Sequence, residues 1–76
     1  VQIIFMSLRY ISRLNFYRSS EGISQLALSK ALGISRQTLS ALEFEKTQPT
    51  LLVAHKIAAY FAVPIEDIFT FKDLKA

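Results

Sequence analysis

The sequence contains no cysteine, which excludes disulfide bonds, thiolate metal ligands and cysteine nucleophiles together. This composition fits a reducing cytosol, so we expect a cytoplasmic protein. No uninterrupted apolar run approaches the roughly 18 residues that a membrane-spanning helix requires. The one histidine, His55, has no carboxylate at ligand spacing on its own helix, so we expect a surface or half-buried structural residue. The sequence therefore predicts no metal and no cofactor.

A chain of 76 residues forms one domain and buries only about 60% of its unfolded surface, so no large enclosed catalytic pocket is expected. It has no P-loop, nucleophile-elbow, zincin or paired-carboxylate signature, and we predict that it is not an enzyme. Its net charge of +3 is unevenly placed. Residues 1–56 carry seven Lys and Arg against three Glu, whereas residues 57–76 carry two Lys against three acids. A basic body suits a polyanion such as nucleic acid.

The two ends of the sequence are the only stretches with a β-like pattern, at residues 1–6 and 69–72. Residues 1–5 lack the basic start and the cleavage site of a signal peptide. They form either a strand or an extra dimer contact, or else a disordered or mis-annotated leader, since the true start is either Val1 or Met6. The tail leaves the same alternatives open. We divide the chain into an N-terminal extension (1–10), a central domain (11–69) and a short tail (70–76).

Glycine, proline and capping residues divide the chain into five predicted helices, with no internal strand. Ile11, Leu14 and Tyr17 recur at helical spacing and predict helix 1, which ends at residues 19–22. The sequence thus predicts an all-α, compact five-helix domain. The caps and breaks that follow helix 1 are, in chain order, Ser24, Gly33, Ser35, Thr50 and Pro64. The predicted inward positions are Leu28, Leu32, Leu39, Leu42, Leu51, Ala54, Ile57, Ala58, Phe61, Ile65, Ile68 and Phe69.

The junction of predicted helices 2 and 3 is the most informative feature of the sequence. Two short helices that cross steeply at a tight turn need a small residue where their backbones meet, and Ser29 is small. The turn needs a residue that tolerates a positive φ, and Gly33 does so. Apolar side chains must also hold both helices against a third, and Leu28, Leu32 and Leu39 have the right spacing. This joint pattern over residues 25–44 predicts a helix-turn-helix.

Six segments carry a resemblance to a known family: Ile23–Gln25, Leu28–Ser40, Leu42–Glu43, Pro49–Leu51, Lys56–Ala58 and Val63–Phe69. Together they resemble the Cro and lambda-repressor-like (XRE-type) helix-turn-helix family. The resemblance implies a compact five-helix lambda-repressor-like fold in which helices 2 and 3 form the helix-turn-helix. It also implies a homodimer on a near-palindromic operator in double-stranded DNA, with helix 3 in the major groove.

Four outward positions open helix 3 and are the candidate base contacts: Ser35, Arg36, Gln37 and Thr38. Arginine reaches O6 and N7 of guanine together, and glutamine does the same for N6 and N7 of adenine. Serine and threonine offer hydroxyls, and the threonine methyl packs on a thymine methyl. By resemblance, Arg36 and Gln37 carry the sequence specificity. The alternative is a solvated helix start with an ordinary cap.

Gln25 and Lys46 are the candidate phosphate contacts, because the family has Gln at the start of helix 2 and a contact in the loop after helix 3. The alternative is that both are ordinary polar surface residues. The resemblance also implies an ion pair between Arg18, near the end of helix 1, and Glu43, at the end of helix 3. Loss of this pair would leave a partly buried charge uncompensated. Two exposed, unconnected charges would instead contribute little.

The sequence departs from the family pattern in two places. After helix 3 the family commonly has a polar residue and a glycine, where this chain has Phe44 and Glu45. This difference predicts either weaker phosphate binding or another path of the loop. Leu26, with Ala27 and Ala31, replaces commonly charged residues on the outer side of helix 2. Together with Phe44, these residues form a candidate apolar face for a protein partner, called the Leu26/Phe44 face below.

The predicted function is that of a sequence-specific DNA-binding transcriptional regulator, which acts as a homodimer and represses by occupying an operator. The first alternative is an antitoxin-like DNA-binding module that also binds a partner protein through the Leu26/Phe44 face. The second alternative is a purely structural interaction module without DNA binding, for which Phe44 and Glu45 are the only support.

Overall fold

The computed structural model of the chain describes the backbone of residues 8–73 and the side chains of residues 10–71. The predicted segment 1–5 lies outside the described residues. Five helices lie between two strands in the described part, so the predicted number of helices is confirmed there. The elements are β1 (Leu8–Ser12), α1 (Leu14–Ser20), α2 (Gln25–Leu32), α3 (Arg36–Glu43), α4 (Leu51–Phe61), α5 (Ile65–Ile68) and β2 (Phe69–Asp73).

The described chain is mostly helical, but the prediction of an all-α fold is confirmed only in part, because β1 and β2 pair as a two-stranded antiparallel sheet. The register places Tyr10 opposite Phe71 and Ser12 opposite Phe69. The rings of Tyr10 and Phe69 also meet edge to face, with their centroids 5.6 Å apart. This contact attaches the sheet to the core, since Phe69 is buried. The described part of the tail, which the sequence left undecided, therefore belongs to β2, which runs to Asp73.

The start of helix 1 is also corrected, because Ile11 belongs to β1 and is 43% exposed. The helix begins only at Leu14, whose side chain is fully buried. The backbone N–H of Arg13 donates to the carbonyl oxygen of Ile68 at 2.8 Å, so the chain leaves the sheet beside the end of α5. The helical spacing of Ile11 was misleading because the sheet, rather than a helix, determines where its side chain lies.

Ten apolar residues form one core to which every helix contributes. They are Leu14, Leu28, Leu32, Leu39, Leu42, Ala54, Ile57, Ala58, Ile68 and Phe69. Leu51, predicted as part of the buried stripe of α4, is 81% exposed. It is the first residue of α4, and the buried stripe begins one turn later at Ala54. The helical periodicity predicted the buried side of α4 correctly, but not the residue at which that buried side begins.

The predicted N-caps of α2, α3 and α4 are confirmed by side-chain hydrogen bonds. Ser24, Ser35 and Thr50 each have extended backbone torsions, and each side-chain oxygen accepts from the backbone N–H three residues later. These bonds are 3.1, 2.9 and 3.1 Å long, in chain order. Each cap satisfies one of the N–H groups that a helix start leaves without a partner.

The first four helices end in the same way, in a Schellman motif with one left-handed residue. In α2, Gly33 has a φ of 71°, and the next N–H, of Ile34, donates to the carbonyl of Ser29. The corresponding left-handed residues of the other three helices are Gly22, Glu45 and Ala62. Glu45 and Ala62 carry a Cβ in a conformation that favours glycine, so both positions are strained.

Replacing Ala62 by glycine is expected to raise the free energy of unfolding by about 1 kcal/mol, since the left-handed conformation costs an L-residue about 1–2 kcal/mol. Ala59→Gly, at an exposed position inside α4, is expected to lower it by about 1 kcal/mol. Urea unfolding followed by circular dichroism measures both changes. Effects of the same sign at the two positions would contradict this account of the helix end.

Candidate nucleic-acid interface

The helices α2 and α3 pack against each other and are joined by only three residues, 33–35. Ser29 is the small residue of α2 predicted at their contact, and it is 3% exposed. Its hydroxyl donates to the carbonyl oxygen of Leu26 at 2.8 Å, so the buried polar group is satisfied. Leu28 and Leu39 are fully buried. This packing fixes where α3 begins and which of its sides faces outward.

The start of α3 presents polar side chains to solvent, while the same helix buries Leu39 and Leu42 in the core. The exposed residues are the four predicted base contacts, Ser35, Arg36, Gln37 and Thr38. Among the described side chains of residues 10–71, those of Arg36 and Gln37 make no hydrogen bond or ion pair. Their donors and acceptors are therefore available to a ligand, as base reading requires.

Ser35 and Thr38 are already linked to each other. The Oγ of Ser35 accepts from the backbone N–H of Thr38 at 2.9 Å and donates to Oγ1 of Thr38 at 2.8 Å. Ser35 is thus occupied as the cap, whereas the hydroxyl hydrogen of Thr38 remains free to reach an outside acceptor. Of the two hydroxyls, that of Thr38 is the better placed to bind a ligand.

The charges at the helix starts favour an anion near α2 and α3. Neither helix has an acidic residue in its first turn. The same is true of α1 and α4, whereas α5 has Glu66 and Asp67 in its first turn. Because the N-terminus of a helix carries a partial positive charge, acidic residues there compete with any bound phosphate. The first turns of α2 and α3 leave this positive potential uncompensated by a side chain of their own.

A buried ion pair ties the end of α3 to α1. The Nε of Arg18 donates to Oε2 of Glu43 at 2.6 Å, and its Nη2 donates to Oε1 at 3.3 Å. The side chain of Glu43 is 1% exposed and that of Arg18 16% exposed. The third guanidinium nitrogen, Nη1, donates to the carbonyl oxygen of Ile23 at 3.0 Å. The ion pair is bidentate, which fixes its direction as well as its distance.

Gln25, a predicted phosphate contact, takes part in the same network. Its Nε2 donates to Oε1 of Glu43 at 3.1 Å, and its side chain is half-buried. The backbone N–H of Gln25 opens α2, where such groups have no partner within the helix. Lys46, the other predicted phosphate contact, is exposed, and its backbone N–H donates to Ala41 at 2.9 Å. The structure therefore places Lys46 directly beyond the end of α3.

The loop around Lys46 is held by β1, a contact that the sequence did not predict. The hydroxyl of Tyr10 donates to the carbonyl oxygen of Thr47, and the backbone N–H of Ser12 donates to Oε2 of Glu45 at 2.8 Å. Burial, and then the nearby Glu45 carboxylate, raises the pKa of Tyr10, so its hydroxyl stays protonated at neutral pH. The partners are 33 and 37 residues apart, and no local pattern links them.

The backbone at Glu45 is left-handed, with a φ of 60°, which is the conformation that a glycine at this position would adopt. The sequence left open whether Glu45 sends the loop along another path. The helix end keeps its Schellman hydrogen bonds, from Glu45 to Leu42 and from Lys46 to Ala41. The carboxylate of Glu45 accepts a hydrogen bond from the backbone N–H of Ser12. Glutamate is therefore accommodated without loss of the helix end.

Several remaining candidates lie at the surface. Leu26 is 50% and Phe44 64% exposed, and Ala27 and Ala31 are exposed as well. His55 is also exposed. In the part of the chain that the structure describes, no three His, Cys, Asp or Glu residues lie close enough to hold a metal ion. No helix within residues 8–73 combines the length and apolar character that crossing a bilayer needs.

Comparison with known proteins gives a consistent set of relatives. The profile of the helix-turn-helix family matches residues 16–68. An uncharacterized HTH-type transcriptional regulator of Methanocaldococcus jannaschii is 47% identical over 62 residues, covering 82% of this chain and 94% of that protein. Another from Archaeoglobus fulgidus is 40% identical over 62 residues, covering 82% and 89%. The regulator YgzD of Bacillus subtilis is 40% identical over 52 residues, covering 68% and 79%.

The matched family region begins within α1 and ends with α5. Both β1 and β2 lie outside it. The helices that carry the candidate site therefore lie within the matched region.

Arg18→Met is expected to lower the free energy of unfolding by about 3 kcal/mol, because it leaves a buried carboxylate without its cation. The same change at the exposed Arg36 is expected to stay within about 0.5 kcal/mol. Urea unfolding of the two variants beside the wild type measures the difference. Equal midpoints for both variants would show that the Arg18–Glu43 pair contributes nothing to stability.

Proposed function

Because the chain belongs to the Cro and lambda-repressor-like (XRE-type) helix-turn-helix family, we propose that it is a sequence-specific DNA-binding transcriptional regulator. The observation that carries this proposal is the start of α3. Exposed, unengaged Arg36 and Gln37 open a helix whose opposite side is buried in the core. Helix-turn-helix proteins read base edges with this part of the second helix.

In the proposed complex, α3 lies in the major groove and its first turn contacts base edges. Arg36 binds O6 and N7 of a guanine, and Gln37 binds N6 and N7 of an adenine. The free hydroxyl hydrogen of Thr38 bonds a base acceptor, while its methyl packs on thymine. Ser35 remains the cap and adds a base contact only through its second lone pair.

Phosphate contacts set the register of α3 on the duplex. We assign them to the start of α2, at Gln25, and to Lys46. The absence of acidic residues from the first turns of α2 and α3 supports this assignment. The Arg18–Glu43 pair keeps α3 in a fixed orientation toward both contacts. Binding then weakens steeply as salt rises, because each neutralised phosphate releases counterions.

We propose that the protein binds as a homodimer to a near-palindromic operator. Two copies of α3 would then read half-sites about 34 Å apart, one turn of DNA. A regulator of this kind represses by occupying the operator and excluding polymerase. Pairing of two copies also stabilises a small domain, because the interface buries additional surface.

Selection from a random duplex library at several salt concentrations tests the proposal. The wild type is expected to enrich a near-palindromic site. The double variant Arg36→Ala, Gln37→Ala is expected to lose about 1–3 kcal/mol of discrimination per contact and to keep weak, salt-sensitive binding. Arg13→Ala removes one exposed positive charge elsewhere and should keep the same preferred site. A wild type that enriches no sequence and binds no DNA at low salt would disprove the proposed function.

A second function, that of an antitoxin-like module, is favoured by the exposure of the Leu26/Phe44 face. The hydrogen bond between Gln25 and Glu43 brings the start of α2 to the end of α3. Leu26 and Phe44 each lie one residue from this contact, and both are largely exposed. Apolar residues so placed suit the docking of a partner protein.

Co-expression with the product of a neighbouring gene tests this second function. The double variant Leu26→Ser, Phe44→Ser is expected to abolish co-purification, since it removes the exposed apolar surface at this face. Leu51→Ser, Leu52→Ser removes a comparable exposed apolar pair at the start of α4 and should leave co-purification intact. Loss of co-purification in both double variants, or in neither, would contradict docking at the Leu26/Phe44 face.

A further inference from the structure

Strand β1 contacts the loop after α3 on both sides of Lys46. Immediately before Lys46, the carboxylate of Glu45 accepts from the backbone N–H of Ser12 at 2.8 Å. Immediately after it, the carbonyl oxygen of Thr47 accepts from the hydroxyl of Tyr10. The same hydroxyl also lies 3.5 Å from the carbonyl oxygen of Leu42 in the last turn of α3. The contacts therefore reach both the loop and the helix that precedes it.

The left-handed backbone conformation of Glu45 is strained, and the hydrogen bond made by its side chain is therefore informative. A glutamate at a φ of 60° is less stable there than a glycine would be. It also brings a negative charge beside Lys46, in a loop proposed to meet phosphate. The carboxylate is exposed, but it accepts a hydrogen bond from the backbone N–H of Ser12 in β1. The strained residue thus supplies a side-chain link from this loop to the backbone of the strand.

We propose that β1 is a positioning element for DNA binding, in which Tyr10 and Ser12 hold the residues on either side of Lys46, one by its backbone carbonyl and the other by its side chain, so that the ammonium group of Lys46 meets a backbone phosphate. This inference rests on the proposed function. A lysine side chain loses much rotational freedom when it binds an anion. If the backbone of Lys46 is already fixed, less conformational entropy is lost on binding. The strand thereby increases affinity without reading sequence.

The sheet is suited to this task because it is itself fixed to the core. The ring of Tyr10 packs edge-on against the buried Phe69 of β2, and the backbone of Arg13 is bonded to Ile68. The hydroxyl of Tyr10 therefore projects from an anchored ring. Tyr10→Phe removes only the hydroxyl and keeps the ring contact, so it tests the grip on the loop with little effect on the core.

Amide hydrogen exchange of the free protein tests the grip without DNA. Tyr10→Phe and Glu45→Ala are each expected to speed exchange of the Lys46 amide by about fivefold, the equivalent of one hydrogen bond. Glu45→Gln keeps an acceptor oxygen and should exchange like the wild type. Tyr60→Phe, which removes a partly exposed hydroxyl elsewhere, is the matched control. Unchanged exchange in both Tyr10→Phe and Glu45→Ala would overturn the proposal.

The salt dependence of binding to the selected operator tests the consequence for DNA. Lys46→Ala is expected to lower the slope of log affinity against log salt by about 0.9, the value for one phosphate. At about 0.15 M salt this corresponds to roughly fivefold weaker binding. Tyr10→Phe should lower the slope in the same direction, and Tyr10→Phe, Lys46→Ala should bind no worse than Lys46→Ala alone. The preferred sequence should stay the same in all three.

The outcomes separate this inference from the function on which it rests. If Lys46→Ala lowers the slope and Tyr10→Phe does not, β1 does not position Lys46 and the inference is wrong. The proposed function as a DNA-binding regulator is not affected by that result. If the two losses simply add, Tyr10 acts elsewhere and the inference is again wrong. If the wild type binds no DNA, the proposed function and the binding role of β1 both fail. Hydrogen exchange then still decides whether β1 holds the loop.

Discussion

The buried carboxylate of Glu43 is the constraint on which the arrangement of the first three helices depends. It accepts two bonds from the guanidinium of Arg18 in α1 and one from the amide of Gln25 in α2, while it belongs to α3 itself. A charge so deeply buried is tolerable only if each of these partners stays in place. The orientation of α3 against α1 and α2 is thus specified by directed bonds in addition to apolar packing.

Three separate sets of contacts hold α3 along its length. Its start is fixed by the left-handed Gly33 and the cap of Ser35, and its inner side by the buried Leu39 and Leu42. Its end is fixed by Glu43 and by the loop contacts from β1. The side chains of Arg36 and Gln37 in the first turn take part in none of the three, and for that reason they are free to contact a ligand. A rigid helix with an unengaged first turn is what recognition of base edges requires.

The sequence predicted the helices well where local chemistry controls them. A serine or threonine before a helix, and a glycine after it, act within a few residues, so Ser24, Ser35, Thr50 and Gly33 were all placed correctly. The same reasoning failed for Ile11 and Leu51, because helical spacing states which side a residue faces only if the helix extends that far. Ile11 lies in a strand, and Leu51 lies beyond the edge of the core.

The sequence by itself determined that five helices form, the N-caps of α2, α3 and α4, the turn at Gly33 and the polar start of α3, because periodicity and capping act between residues a few positions apart. Only the tertiary structure decided that the two ends pair as a sheet and that this sheet grips the loop around Lys46. Neither contact has a local signal, since hydrogen bonds such as that from Ser12 to Glu45 join residues that come together only after the helices have packed.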